Sequence, residues 1–150
     1  YFKMKKIILM AALAAAVTLD AAAQEWKIIT VVESIIPAGT GRSRIIEAQQ
    51  TADSEAATTA RVDGKKSKQG DVKRGDLKIE NFSETKLLNF FSAAGINMQN
   101  IASNDAMVTD RINRMMADGW SLEHIVAGVE SDSGKDDGKG IYVTRLYFKK

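Results

Sequence analysis

The sequence predicts an α+β fold: an antiparallel sheet of about four strands with one or two helices packed on one face. Three observations carry this expectation. Trp26 to Ile36 is a run dense in β-branched residues with no helical stripe. Val108, Ile112 and Met115 recur at spacings of four and three residues and stop before Gly119-Trp120, the pattern of an amphipathic helix and its end. Leu122 to Val129 and Ile141 to Phe148 are two strand-like runs joined by a polar, glycine-rich turn, which together read as a hairpin.

The opening of the 150-residue chain is set apart from this domain. Met4-Lys5-Lys6 gives a positive start, Ile7 to Thr18 is an apolar run, and Ala21-Ala22-Ala23 supplies the small residues a signal peptidase needs. That layout predicts a secretory signal over residues 1–23, cleaved before Gln24. A membrane anchor is disfavoured because Asp20 closes the run short of the roughly 20 apolar residues that span a bilayer. Tyr1-Phe2-Lys3 precede Met4 and read as an upstream remnant. The two-lysine, alanine-rich leader looks bacterial, so the expected destination is the periplasm or the medium, with no stable membrane anchor once the leader is removed.

Charge and cysteine content narrow the classes further. The chain carries 21 Lys+Arg and 19 Asp+Glu; without Lys3, Lys5, Lys6 and Asp20 the remainder holds 18 of each. A balanced domain presents no overall field for nucleic acid or an anionic membrane. The chain has no cysteine, so a single domain over 24–150 must hold itself together by its core.

Within that domain Trp26 to Ile36 has apolar residues on both faces, which predicts a central strand covered on both sides for part of its length. Pro37-Ala38-Gly39-Thr40-Gly41 ends it, and Arg42 to Ala48 returns as a second strand. Residues 49–80 are poor in large apolar side chains and read as a mobile polar insertion, with a short edge strand at Leu77 to Ile79. Ser83 as N-cap, followed by Leu87, Leu88, Phe91 and Ala94, predicts a helix near 84–94 that stops at Gly95. Ile96 to Ile101 reads as a short extended connector, and Asn104 or Asp105 as the N-cap of the next helix. Gly119 falls where a left-handed residue belongs, with Trp120 placed to fold back on Met115.

The Trp-Lys-Ile-Ile-Thr-Val-Val opening, the Ala117-Asp118-Gly119-Trp120-Ser121-Leu122 helix exit and the terminal Phe148-Lys149-Lys150 resemble a family of small bacterial domains of unknown function. Its members open with an aromatic-Lys-Val-Val strand and end their helix in Gly-Trp-Glu-Leu; Ser121 stands here where the family has Glu. Glu33-Ser34-Ile35-Ile36-Pro37, Gly41-Arg42-Ser43-Arg44, Gly95-Ile96-Asn97, Asn104-Asp105-Ala106 and Thr144-Arg145 are similar to motifs of uncharacterised exported proteins from the Bacteroides lineage. The resemblance implies the fold and kinship, and carries no assigned chemistry.

No constellation in the chain has the pattern of a catalytic centre. His124 is the only histidine, and no Gly-x-Ser-x-Gly elbow accompanies it. A zinc site would have to be made from that one histidine and carboxylates. Gly39-Thr40-Gly41-Arg42-Ser43 lacks the glycines of a dinucleotide fingerprint or a P-loop and reads as a hairpin loop, although Arg42 and Arg44 could take an anion. Asp132 to Gly138 has carboxylates at a calcium-like density, but Gly134 and Asp137 occupy the third and sixth positions, which breaks the ligand pattern. Lys65-Lys66-Ser67-Lys68 and Lys73-Arg74 are basic without interleaved aromatics, and read as a solvated loop rather than a polyanion site.

The function expected is therefore that of an exported, non-catalytic domain with no cofactor, metal or catalytic residues, binding a protein partner, a glycan or a second copy of itself. An uncovered sheet face would be remedied by self-association. The competing expectation is a small hydrolase or ligand-binding enzyme with a polar site near Arg42, Arg44 and Asp105, drawing also on Glu47 and His124.

Overall fold

The computed structural model describes residues 24–37, 41–130 and 140–150. Its centre is a five-stranded antiparallel sheet of β1 (Trp26–Ser34), β2 (Arg44–Ala48), β3 (Phe82–Lys86), β6 (Ser121–Glu130) and β7 (Ile141–Lys149), in the order β3-β2-β1-β7-β6. β4 (Phe91–Ser92) and β5 (Gly95–Ile96) form a separate two-stranded hairpin. One α-helix, α1 (Met98–Ala117), is present among the described residues. The fold class is α+β as expected, with five strands against the expected four or so in the main sheet and, among the described residues, one helix where one or two were expected.

Strand periodicity sorts the sheet into two faces. In register with one another, Ile29 and Val31 of β1, Ile45 and Glu47 of β2, and Leu146 and Phe148 of β7 point to the side that α1 covers. These residues, with Leu87 and Met115, are buried, and Val108, Ile112, Trp120 and Leu122 pack against them. The apolar stripe of the helix is thus satisfied by one face of the sheet. Trp26, Ile28, Thr30 and Val32 point to the other side, which no element covers among the described residues. β1 is central, as expected, but it is covered on one side rather than two; its second apolar stripe remains at the surface.

The end of α1 follows the sequence closely. Gly119 N–H donates to Met116 O (3.0 Å) and Trp120 N–H to Met115 O (3.0 Å), the paired bonds of a Schellman stop. Gly119 takes φ +85°, a conformation that side-chain-bearing residues rarely adopt. Trp120 then packs on the cluster that contains Met115.

The start of α1 lies earlier than expected. Asn97 is the N-cap, its Oδ1 accepting from Asn100 N–H at 3.1 Å. The extended connector over 96–101 is therefore replaced by β5 and the first helical turn. Asn104 sits inside the helix, 1% exposed, and its side chain turns to the neighbouring segment: Oδ1 accepts from Leu88 N–H (2.8 Å), while Nδ2 donates to Leu88 O (2.8 Å) and Glu33 Oε1 (2.9 Å).

The helix near 84–94 does not form. Ser83, Glu84 and Thr85 continue the ladder opposite Glu47, Ile46 and Ile45, so β2 claims the backbone groups that a helix would have used. Leu87 enters the core, Leu87 N–H donates to Ser43 O (2.9 Å) and Phe90 N–H to Ser34 O (3.2 Å). Gly95, at φ +106°, shapes the tight β4–β5 turn instead of ending a helix.

The segment between β2 and β3 contains three short 3-10 turns, Glu55–Ala57, Gln69–Asp71 and Arg74–Leu77, none with a buried residue. No strand forms over Leu77 to Ile79: Leu77 closes the third turn, 52% exposed. The sheet edge is built instead by β3, with Gln49 N–H donating to Asn81 O at 2.9 Å where the segment leaves and rejoins the ladder.

Candidate functional site

The loop preceding β2 and the strand end of β3 form a cleft of about 520 Å³, lined by Gly41, Arg42, Ser43, Arg44, Glu84, Lys86, Leu87, Leu88 and Asn89. Ladder pairing explains why these residues meet. Arg44 is opposite Lys86 in the β2–β3 register, and Glu84, two residues away on the same face, reaches Arg44 as an ion pair. The cleft therefore holds three cationic side chains, Arg42, Arg44 and Lys86, with one carboxylate to offset them.

Its floor is a fixed polar network. Ser43 Oγ accepts from Ser34 N–H (2.8 Å) and donates to Asn89 Oδ1 (2.8 Å), and Asn89 Nδ2 donates to Gly41 O (2.8 Å). Asn89 O in turn accepts from Asn100 Nδ2 at 2.9 Å, tying the cleft to the helix start. Gly41 is required by close approach: a Cβ there would lie 1.6 Å from Ser34 Oγ. Ser43 is thus a structural hydroxyl, buried, with both its donor and acceptor capacity engaged. The chemistry available in the cleft is anion recognition by the arginines.

The other polar residues singled out in the sequence lie elsewhere. Asp105 is exposed on α1, beside Glu33, Thr109 and Thr144 in a shallow depression on the helix side of the sheet. Glu47 also faces the helix, 4% exposed; Lys27 Nζ donates to its Oε1 at 2.8 Å and Arg111 pairs with its Oε2, without a well-aligned hydrogen bond at that oxygen. This carboxylate joins β1, β2 and α1. His124 is on the opposite face and on the far edge strand, stacked on Trp26 with ring centroids 6.3 Å apart and planes at 7°. Arg42 and Arg44 come together, while Asp105, Glu47 and His124 do not join them.

Glu33 is a carboxylate whose acidity is clearly displaced. Burial pushes its carboxyl above the ordinary value, the hydrogen bond from Asn104 opposes that rise, and the charge of Asp105 adds to it. Its partner and its place under the helix make it a packing residue.

The basic residues at 65–68 and 73–74 are on the exposed segment between β2 and β3, with Ser67 the one half-buried position among them. The calcium-like turn Asp132 to Gly138 and the leader both lie outside the described residues. Among the described residues no group of three or more His, Cys, Asp or Glu is placed to hold a metal ion, and no helix is long and apolar enough to cross a membrane.

The sheet face opposite α1 is the second candidate surface. Trp26 (50% exposed), Ile28 (45%), Phe82 (49%) and Val126 (55%) lie on it, each from a different strand except the first two. Reading the sequence element by element does not find this surface. The alternation of Phe82-Ser83-Glu84-Thr85-Lys86 is its available signal, since only a strand places Phe82, Glu84 and Lys86 on one side.

Comparison of the chain with protein-family models, curated proteins and solved structures gives no match.

Proposed function

We propose that the chain is a non-catalytic domain of an exported bacterial protein that works by holding a protein partner on the open face of its sheet. The observation that carries this reading is the uncovered apolar set Trp26, Ile28, Phe82 and Val126 on one side of a sheet whose other side is filled by α1. A contiguous apolar area at the surface marks contact with another macromolecule. Aliphatic side chains beside the aromatics favour a protein over a glycan, because sugar hydroxyls need polar partners where Ile28 and Val126 offer none. Kinship with the exported family of unknown function, and secretion through residues 1–23, belong to the same proposal.

A photo-activatable residue at position 28, introduced in the organism that makes the protein, is expected to yield a discrete cross-linked polypeptide that the same residue at the exposed helix position 99 does not. Equal yield from both positions, or none from 28, sinks the reading. Export is checked separately by N-terminal sequencing of the secreted form, which is expected to begin at Gln24.

A second reading rests on the meeting of Arg42, Arg44 and Lys86 in one cleft: binding of a small carboxylate or phosphate. A rise in melting temperature with millimolar inorganic phosphate, abolished in Arg44→Gln, supports it; no rise disposes of it.

A further inference from the structure

Two edges bound the main sheet, and they are unlike. β3 is five residues long and carries Glu84 and Lys86, which discourage another strand from adding there. β6 is ten residues long, and Ile125-Val126-Ala127-Gly128-Val129 is an uncharged run without proline. Its bulge, at Leu122/His124, lies before that run rather than in it. Ile125 is 60%, Val126 55% and Val129 59% exposed.

The backbone of this edge is also ready to pair. Glu25 and Lys150 exchange both backbone hydrogen bonds (3.0 and 2.9 Å), and Ile35 N–H donates to Gly140 O at 3.0 Å. Alternation along an antiparallel ladder then turns the even-numbered residues of β7 toward β1 and the odd-numbered ones toward β6. Their partners on β6 are His124, Val126, Gly128 and Glu130, so the amides and carbonyls of Ile125, Ala127 and Val129 point outward. Among the described residues no strand pairs with them.

We propose that a second copy of the chain occupies this edge, β6 against β6 in antiparallel register about a two-fold axis through Ala127, joining the two five-stranded sheets into one. Charge and apolar complementarity select the register. With Ala127 opposite Ala127 of the second copy, Ile125 faces Val129 of the second copy on the helix side. On the open side, Val126 faces Gly128 and His124 faces Glu130, each of these pairs occurring twice. Moving the axis to Val126 would set His124 against Gly128 and Glu130 against Leu122, losing both complementary pairs. Trp26 stacks on His124 and holds the imidazole at the edge that meets the carboxylate. The same axis places the two open faces on one side of the assembly, so pairing doubles the surface without covering it.

The chain has no cysteine, which makes the register directly testable. Directly opposite residues in such a pair have Cα atoms about 5.5 Å apart, inside the roughly 4.4–6.8 Å range that a disulfide bridges. Oxidised Ala127→Cys is expected to form a covalent dimer, while Ile125→Cys, whose counterpart is Val129, lags at least tenfold. Light scattering is expected to show a dimer for the unaltered protein and a monomer for Val129→Lys, with the melting temperature of the monomeric variant close to that of a dilute, dissociated sample. A monomer at all concentrations, faster cross-linking at Ile125 than at Ala127, or a dimer that survives Val129→Lys but is lost in Ile28→Glu, overturns the proposal. The cross-link from position 28 reads the open face independently, so failure of one result is distinguishable from failure of the other.

Discussion

Arg111 on α1 and Glu47 on β2 form an ion pair beneath the helix, and Lys27 of β1 holds the other oxygen of the same carboxylate. Glu47 is buried, while both cations remain about a third exposed. The arrangement places a charge inside the helix–sheet interface where Ile45, two residues earlier on the same strand face, is part of the core. Lys27 also lies 5.5 Å from the Trp120 ring centroid, so the network reaches the turn that ends the helix.

Removing the shared carboxylate tests what this network contributes. Glu47→Ala leaves two cations facing one another, although both can turn partly to water. A loss of roughly 1–3 kcal/mol is expected, below the value for a fully buried pair. Urea denaturation measures it, and an unchanged midpoint would mean the helix is held by apolar packing alone.

Glu33 sets a pH dependence with a definite sign. Its folded pKa is raised above the ordinary value, so the folded state binds that proton more tightly than the unfolded chain does. The stability this supplies is complete below the unfolded value and is lost as pH rises through the folded one. Glu33→Gln keeps an acceptor for Asn104 and cannot ionise. The variant is expected to match the unaltered protein in acid and to melt higher at neutral pH; the reverse order in paired melting curves refutes the assignment.

Gly41 owes its identity to space rather than to backbone angle. A methyl group at that position overlaps Ser34 Oγ and Cβ, at 1.6 and 2.3 Å. Gly41→Ala is expected to cost about 1–3 kcal/mol, the usual range for overpacking. Combining it with Ser34→Gly restores part of the loss if the collision is the cause, and a double-mutant cycle reads the coupling directly.

At Gly119 the reason is conformational. With φ at +85°, Gly119→Ala is expected to lose about 1–2 kcal/mol, from left-handed strain. Gly70, with an ordinary φ and no atom within 4 Å of where its methyl group would sit, serves as the neutral comparison. Equal denaturation midpoints for the two alanine variants would contradict the account.

Legibility varies along the chain for physical reasons. The helix stop at Gly119-Trp120 is readable because its determinants, a left-handed glycine and an aromatic one residue on, are adjacent in sequence. The helix start is displaced by about two turns from its expected place, since Asn97, Asn104 and Asp105 all suit an N-cap by composition. Which one caps depends on where Leu88 lies, because Leu88 takes the Asn104 side chain for itself. Leu87, Leu88, Phe91 and Ala94 have helical spacing, yet the segment before them is drawn into the β2 ladder, and long-range pairing overrides local period. The cleft is half legible: Arg42 and Arg44 are conspicuous in the sequence, whereas Glu84, Lys86 and Asn89 join them only through register.

What the sequence determined alone is what neighbouring residues decide among themselves: the α+β class, the long β1, β6 and β7 strands, and the end of α1. The tertiary structure decided matters that depend on residues distant in the chain. Pairing with β2 made a strand of 82–86; among the described residues one face of β1 gained a helix while the other gained none, and β6 was left at an edge where no strand pairs with its outward amides. Period alone shows that a strand is apolar on both faces; which face is covered depends on what packs against it, and α1, the one helix among the described residues, covers one.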